Sequence, residues 1–553
     1  MNIETTIASM TIKEKVGQMF MLAFAADQLN AARILMAEDL VGAAYIGDEN
    51  VPNARAAIDL TNTLQSYARS TRLGIPLLLG VDQEGTWSVM TAESAMGPGN
   101  MAIGATGDPQ YAYDMYSVIA KETSSVGLNT VLGPACDCNS NPYNSIIGMR
   151  SFGEDPELVA AMTAAAVRGL QDNGALATLK HFPGHGDTQV DSHRGLPTVD
   201  RSRDELFRID LRPFAEGVKA GAKMVMTAHI IFTALDQERP ATLSPIILGD
   251  VLRGELGFEG VVVSDSMNMG SMKRNYDPAD AAIGAFNAGV DLMMLAEEHY
   301  DHDVESYLQN QRSLIGAVIT AVEDGAISSA RVDEAVGRVL RLKREAGFNV
   351  EPLPERPIVV GQESHRAVEL EAARAAVAVL RDGKDLLPIS ASESITLVNT
   401  TRRSAYGALT ETRGIGPNQA TPAFDVFADA LRARCDNLTT IRAEDYAAAA
   451  LPSEGLIIAV SENYTLPGMD FDGALQTSII SDLHKQAADR LIVVGLRDPY
   501  QLAQYPEIGS FVCSFSFRPP AALAAVQLLL GEIESRGRTP VSVPGTQLVA
   551  RKV

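Results

Sequence analysis

Residues 260–270 read GVVVSDSMNMG, an apolar run with no polar interruption that stops on a serine and an aspartate. A strand with one wet face alternates apolar and polar side chains, whereas a strand buried on both faces does not, so this run predicts a central strand of a parallel sheet. Runs of the same kind recur at 41–46, 75–81, 128–132, 175–179, 224–227 and 290–295. Helix signals lie between them. Asp155-Pro156-Glu157 offers an N-cap, a proline at the first helical position and an early acid, and an apolar pattern follows through 170. The stretch 204–218 predicts a further helix ahead of the run at 224. About seven strand–helix repeats in roughly 345 residues predict an α/β fold of the TIM-like (β/α)8 barrel type. No glycine-rich nucleotide turn follows the first run, which argues against an open doubly wound sheet.

Outward from the barrel, FNVEPLPERP at 348–357 has three prolines and no periodicity, the mark of a linker. The expected division is a barrel over 1–346, a linker over 347–363 and a second domain over 364–553. That second domain opens on a helical pattern at 364–380. Buried-strand runs follow at 395–399, 455–460, 491–495 and 510–514, with a late helix at 521–530, as expected of a three-layer α/β/α sandwich.

Composition narrows the function. The 553 residues carry 46 Lys and Arg against 69 Asp and Glu, a net charge of −23, which argues against nucleic acid and anionic membranes as partners. No stretch reaches the roughly 20 apolar residues of a membrane span, and the start lacks a basic segment followed by an apolar run, so a soluble, cytoplasmic protein is expected. Cysteines at 136, 138, 435 and 513 suggest neither a disulfide framework nor a zinc site. Cys136 and Cys138 follow a strand end, where they either line a cavity or are buried as small apolar side chains.

In a barrel, chemistry gathers at the C-terminal strand ends. Four such places carry polar residues. The run at 77–81 ends in Asp82-Gln83-Glu84-Gly85, where Asp82 is either a hydrogen-bond acceptor for a ligand or a solvated turn acid. The run at 175–179 ends in Lys180-His181 and continues to His185, Asp187, Asp191 and His193, so three of eight histidines fall in thirteen residues. These side chains can ligate a metal, although the spacing matches no familiar ligand pattern such as HExxH. An Asp191–His193 dyad for proton transfer is the more natural reading, beside histidines that only cap the loop. Asp265 ends its strand as a carboxylate, a candidate nucleophile or a helix N-cap. Arg150, just before a helix start, either recognises a ligand through its fork of donors or pairs with Glu154 or Asp155.

Taken together, KHFPGHGDTQVDSHRGLP at 180–197, GVDQEG at 80–85, RSFGEDPELV at 150–159 and VVVSDSMNMG at 261–270 resemble glycoside hydrolase family 3, in its branch of bacterial β-N-acetylglucosaminidases. These motifs cover most of residues 10–345. AVAVLRDGKDLLPI at 376–389 and GLRDPY at 495–500 resemble the family's sandwich domain more loosely. The resemblance implies that Asp265 is the nucleophile of a retaining hydrolysis, His193 the general acid/base and Asp191 its partner. It implies that Asp82, Arg150, Lys180 and His181 hold the sugar. No cofactor or metal is implied, and the partner is a small carbohydrate.

Two points qualify the resemblance. An imidazole acid/base repels an incoming anion less than a carboxylate does, so inorganic phosphate can compete with water, and a glycoside phosphorylase or β-glucosidase is the nearest alternative; a sugar-binding protein without catalysis is the rival from another class. The turn after Asp82 reads GTWSVM where the family usually has GGRVxR, so Met90 stands where a sugar-contacting arginine is expected. Trp87, the chain's one tryptophan, either offers a stacking face to the sugar or packs the barrel rim.

Overall fold

A computed structural model of the protein describes residues 2–90, 93–144, 146–188, 195–296, 303–347, 359–402, 421–462 and 473–546. Eight parallel strands form its first sheet: β1 (Phe20–Leu22), β2 (Ala43–Ile46), β3 (Leu78–Val81), β4 (Thr130–Val131), β5 (Leu176–Phe182), β6 (Met224–Thr227), β7 (Val261–Ser264) and β8 (Met293–Leu295). The order runs β7-β6-β5-β4-β3-β2-β1-β8. A parallel bridge between Val263 and Leu292, with Ser264 N donating to Leu292 O at 3.0 Å, brings β7 against β8 and closes the barrel.

The alternation within each strand explains the unbroken apolar runs. Met21, Ala43, Leu78, Met224, Met226, Val261 and Val263 pack together inside the barrel. Phe20, Leu22, Val225, Val262 and Met293 join the other cluster, beneath the helices. Both faces are dry along these runs, so apolar side chains follow one another without alternation. The expected helix signals operate as chemistry: Asp155 accepts from Glu157 N, and Pro156 opens the helix Pro156–Gln171.

The second sheet has six strands, in the order Ala378–Asp382, Ser510–Cys513, Leu491–Gly495, Leu456–Ser461, Ser394–Asn399, Asn437–Ile441. The first of these is antiparallel to its neighbour and the others are parallel. Helices Ala423–Arg432 and Pro519–Leu529 pack together, while Gly473–Ala487 lies against the strands Leu456–Ser461 and Leu491–Gly495. The core of this domain takes in Met101, Ala102, Ala105 and Met149 from the barrel side, so the two domains share an apolar interface. Among the described residues no helix is long and apolar enough to cross a membrane.

Four expectations need correction. β1 was not among the predicted runs: it is three residues inside a continuous apolar stretch that directly follows the helix Ile12–Gly17, where periodicity cannot separate strand from helix. The helix expected over 364–380 ends at Ala376, and Ala378–Asp382 is a strand, with β-branched Val377 and Val379 at the change. The helix expected over 204–218 is two, Arg203–Arg208 and Leu211–Lys219, broken where Asp210 turns inward to Arg201 at 2.7 Å. The strand Asn437–Ile441 is half-exposed and polar, and gave no apolar run. The linker region 348–358 lies outside the described residues.

Candidate active site

β5 runs on to Phe182, so Lys180 and His181 stand on the strand itself rather than in the loop after it. A strand holds its side chains more tightly than a loop does. Lys180 Nζ donates to Asp82 Oδ1 at 2.6 Å and lies 2.5 Å from Glu84 Oε1, which ties the end of β5 to the turn after β3. Tyr45, on β2, donates from Oη to Asp82 Oδ2 at 3.0 Å. Arg150 grips the fully buried Glu84 with two parallel bonds, Nε to Oε2 at 3.0 Å and Nη2 to Oε1 at 2.8 Å. Its guanidinium also lies 3.9 Å over the Trp87 ring.

Electrostatics favours the charged forms of Glu84 and Lys180. Burial opposes the charge on Glu84, but Arg150 and Lys180 outweigh it and hold the carboxyl well below the usual range. Burial also works against the Lys180 ammonium, yet Asp82 and Glu84 more than offset it and hold its pKa above the ordinary value. Lys180 therefore remains a cation at any working pH, with two of its three donors on carboxylates.

His181 is fixed from the other side. Asp137, fully buried, sits 2.9 Å from His181 Nδ1 through Oδ2 and accepts from the His181 backbone N through Oδ1 at 3.1 Å. Arg150 Nη2 approaches His181 Nε2 at 3.3 Å. A guanidinium has only donors, so Nε2 accepts and Nδ1 carries the proton toward Asp137. Asp137 Oδ1 also accepts from His185 N at 2.7 Å. The buried His185 imidazole is pushed down to about 4 by desolvation and by its neighbour His181, and is neutral.

Asp265 follows β7 at the same end of the barrel and is half-buried. Its Oδ1 accepts from Ser266 N at 2.8 Å. The turn beyond it is held by a buried relay: Thr227 Oγ1 lies 2.8 Å from Thr242 Oγ1, which lies 2.8 Å from His229 Nδ1, and His229 Nε2 lies 3.0 Å from Ser266 O. A carbonyl can only accept, so Nε2 carries a proton, and Thr242 Oγ1 also lies 3.1 Å from Ala228 O.

The expected residues thus divide. Asp82, Lys180, Arg150 and His181 form one connected network, and Asp265 shares its rim. Arg150 pairs with Glu84 rather than with Glu154 or Asp155: Glu154 accepts from Ser542, and Asp155 caps its helix. Trp87 has one ring face covered by Arg150, so the stacking surface is shared with a protein cation. Met90 is 5% exposed and packs with Phe24, Val81 and Val89, an apolar site that would not accept a charged side chain. Asp191 and His193 lie outside the described residues. Cys136 and Cys138 are fully buried, and all four cysteines are free. Among the described residues no group of three or more potential metal ligands comes together.

Sequence reasoning missed Glu84 as a hub, and Asp137, Tyr45 and His229 altogether. Glu84 was visible in the turn, but its partner is 66 residues away. Asp137 sits between two cysteines with no pattern around it.

The chain is similar to known proteins over nearly its whole length. The model of the glycosyl hydrolase family 3 N-terminal domain matches residues 11–342. The chain is 32% identical over 550 residues to beta-hexosaminidase A of Pseudoalteromonas piscicida, covering 91% of this chain and 89% of that one. It is 34% identical over 336 residues to the beta-hexosaminidase of Stenotrophomonas maltophilia (strain K279a), covering 58% of this chain but 98% of that protein, which leaves the latter no length for a second domain. Among solved structures, a glycoside hydrolase family 3 beta-N-acetylglucosaminidase from Paenibacillus sp. str. FPU-7 superposes with a TM-score of 0.84 at 30% identity, over 98% of this chain and 100% of that one.

Proposed function

The chain belongs to glycosyl hydrolase family 3, and from that premise we propose that it is a retaining exo-β-N-acetylglucosaminidase that removes terminal β-linked N-acetylglucosamine. The observation that carries the reading is the connected Asp82–Lys180–Glu84–Arg150 network on the rim that also bears Asp265. Such a network suits a neutral polyol. Asp82 accepts from sugar hydroxyls, and Lys180 donates its third hydrogen to one. His181, held as the Nδ1–H tautomer, packs the floor beside Arg150.

Asp265 attacks the anomeric carbon through its second carboxylate oxygen, while Ser266 N holds the first. The bond to the leaving oxygen breaks as His193 gives that oxygen a proton, with Asp191 orienting the imidazole. A glycosyl–aspartate ester results. In the second half His193 takes a proton from water, the water oxygen bonds to the anomeric carbon, and the ester bond to Asp265 breaks. The roles of Asp191 and His193 rest on the DSH motif at 191–193. Phosphate in place of water gives the sugar 1-phosphate, the phosphorylase variant of the same cycle.

The test is steady-state release of p-nitrophenol from the β-N-acetylglucosaminide and the β-glucoside, each with and without phosphate, for the wild type and Asp265→Asn. Cleavage of the acetamido substrate by the wild type alone supports the reading. Preference for the glucoside, or acceleration by phosphate with sugar 1-phosphate as product, replaces it with the β-glucosidase or the phosphorylase.

A further inference from the structure

Arg518 belongs to the sandwich domain, on the turn between the strand Ser510–Cys513 and the helix Pro519–Leu529, yet its guanidinium reaches the barrel. Nε donates to Gly85 O at 2.8 Å and Nη2 to Thr86 O at 2.7 Å. The side chain is 1% exposed, and the turn beneath it is fixed by Ser514 Oγ donating to Ser516 O at 2.6 Å and Arg518 N to Ser516 Oγ at 3.0 Å. Gly85 and Thr86 sit between Glu84 and Trp87. The same turn is closed on itself by Glu84 N to Trp87 O at 2.7 Å and Val89 N to Asp82 O at 2.9 Å. Gly85 has φ of +83°, and a Cβ there would lie 2.8 Å from Met96 O, so the turn is pressed against the barrel and presents these two carbonyls to the second domain.

We propose that Arg518 is a positioning residue for the sugar site: from the second domain it sets the turn that carries Asp82, Glu84 and Trp87, and so makes the sandwich an integral part of a barrel active site. The proposal rests on reading that turn as sugar-binding. Charge-assisted bonds from a buried guanidinium are strong, and removing the donor leaves two buried carbonyls without it.

Trp87 makes the test direct, because the chain has one tryptophan and it lies next to Thr86. Full-length wild type, Arg518→Gln and Arg518→Lys are compared by Trp87 emission, acrylamide quenching, far-UV circular dichroism, and kcat and KM on the p-nitrophenyl β-N-acetylglucosaminide. With native circular dichroism, Arg518→Gln is expected to red-shift Trp87, to expose it to acrylamide and to raise KM about tenfold, with a smaller change in kcat. Arg518→Lys falls between the two. Native circular dichroism with wild-type Trp87 emission, quenching and KM overturns the proposal. If Arg518→Gln does not fold, Arg518→Lys decides by the same readouts. A wild type that cleaves no glycoside sinks the functional reading, and the Trp87 emission of the variants still decides whether Arg518 sets the turn.

Discussion

Asp137 holds His181 twice, by the ring at 2.9 Å and by the backbone at 3.1 Å, from a position with no solvent exposure. Burial raises the pKa of a carboxyl, but His181 and His185 outweigh it here and keep Asp137 below its ordinary value. The pair fixes which ring nitrogen of His181 faces Arg150.

Asp137→Asn removes the charge and keeps the shape. The expected result is a fall in kcat/KM of about 10- to 100-fold, the worth of a hydrogen bond to a charged group. Kinetics on the p-nitrophenyl substrate, with circular dichroism to confirm folding, measures it; an unchanged kcat/KM would show that the tautomer does not matter.

Glu84→Gln leaves Arg150 and Lys180 buried with less compensation. Breaking such a group is expected to cost about 3–5 kcal/mol, far above the value of an exposed ion pair. Urea unfolding at pH 7 measures the loss, and a loss below about 1 kcal/mol would place Glu84 outside the network.

His185 gives the stability a pH dependence of known sign. Its folded pKa of about 4 lies below the ordinary 6.5, so between those values the unfolded chain takes up a proton that the folded chain does not. Its contribution is present in full above pH 6.5 and lost as pH falls toward 4, up to about 3 kcal/mol. Unfolding free energies across this range should show a shallower slope for His185→Gln; an identical slope in both proteins contradicts the assignment.

His229 reaches the Asp265 turn through the Ser266 carbonyl. His229→Leu is therefore expected to lower kcat by about tenfold while KM moves little, since the binding network is untouched. The converse pattern, with KM raised and kcat intact, would assign His229 to substrate binding.

Legibility in the sequence followed burial. β7 was readable because Val261, Val262 and Val263 face dry surroundings on both sides. β1 was not, since Phe20–Leu22 lies in an apolar stretch that follows the helix Ile12–Gly17 with no turn signal between them. Asp82, Lys180, His181 and Asp265 could be named because they end apolar runs. Glu84, Asp137 and Arg518 could not be ranked above other acids and bases, since what singles them out is a partner distant along the chain: Arg518 meets Gly85 across 433 residues. Met90 was legible as a departure but not as a packed apolar side chain, because its burial depends on Phe24 and Val89 closing over it.

The central claim is that Asp265 forms a covalent bond to the sugar. The most direct measurement is intact-protein and peptide mass spectrometry after incubation with a 5-fluoro N-acetylglucosaminyl fluoride, a slow substrate that keeps the acetamido group and lets the ester accumulate. A single added glycosyl mass on the peptide holding Asp265, and none on Asp265→Asn, is the result predicted. An active enzyme that carries the label on another residue, or that turns the reagent over with no adduct under any quench, contradicts it.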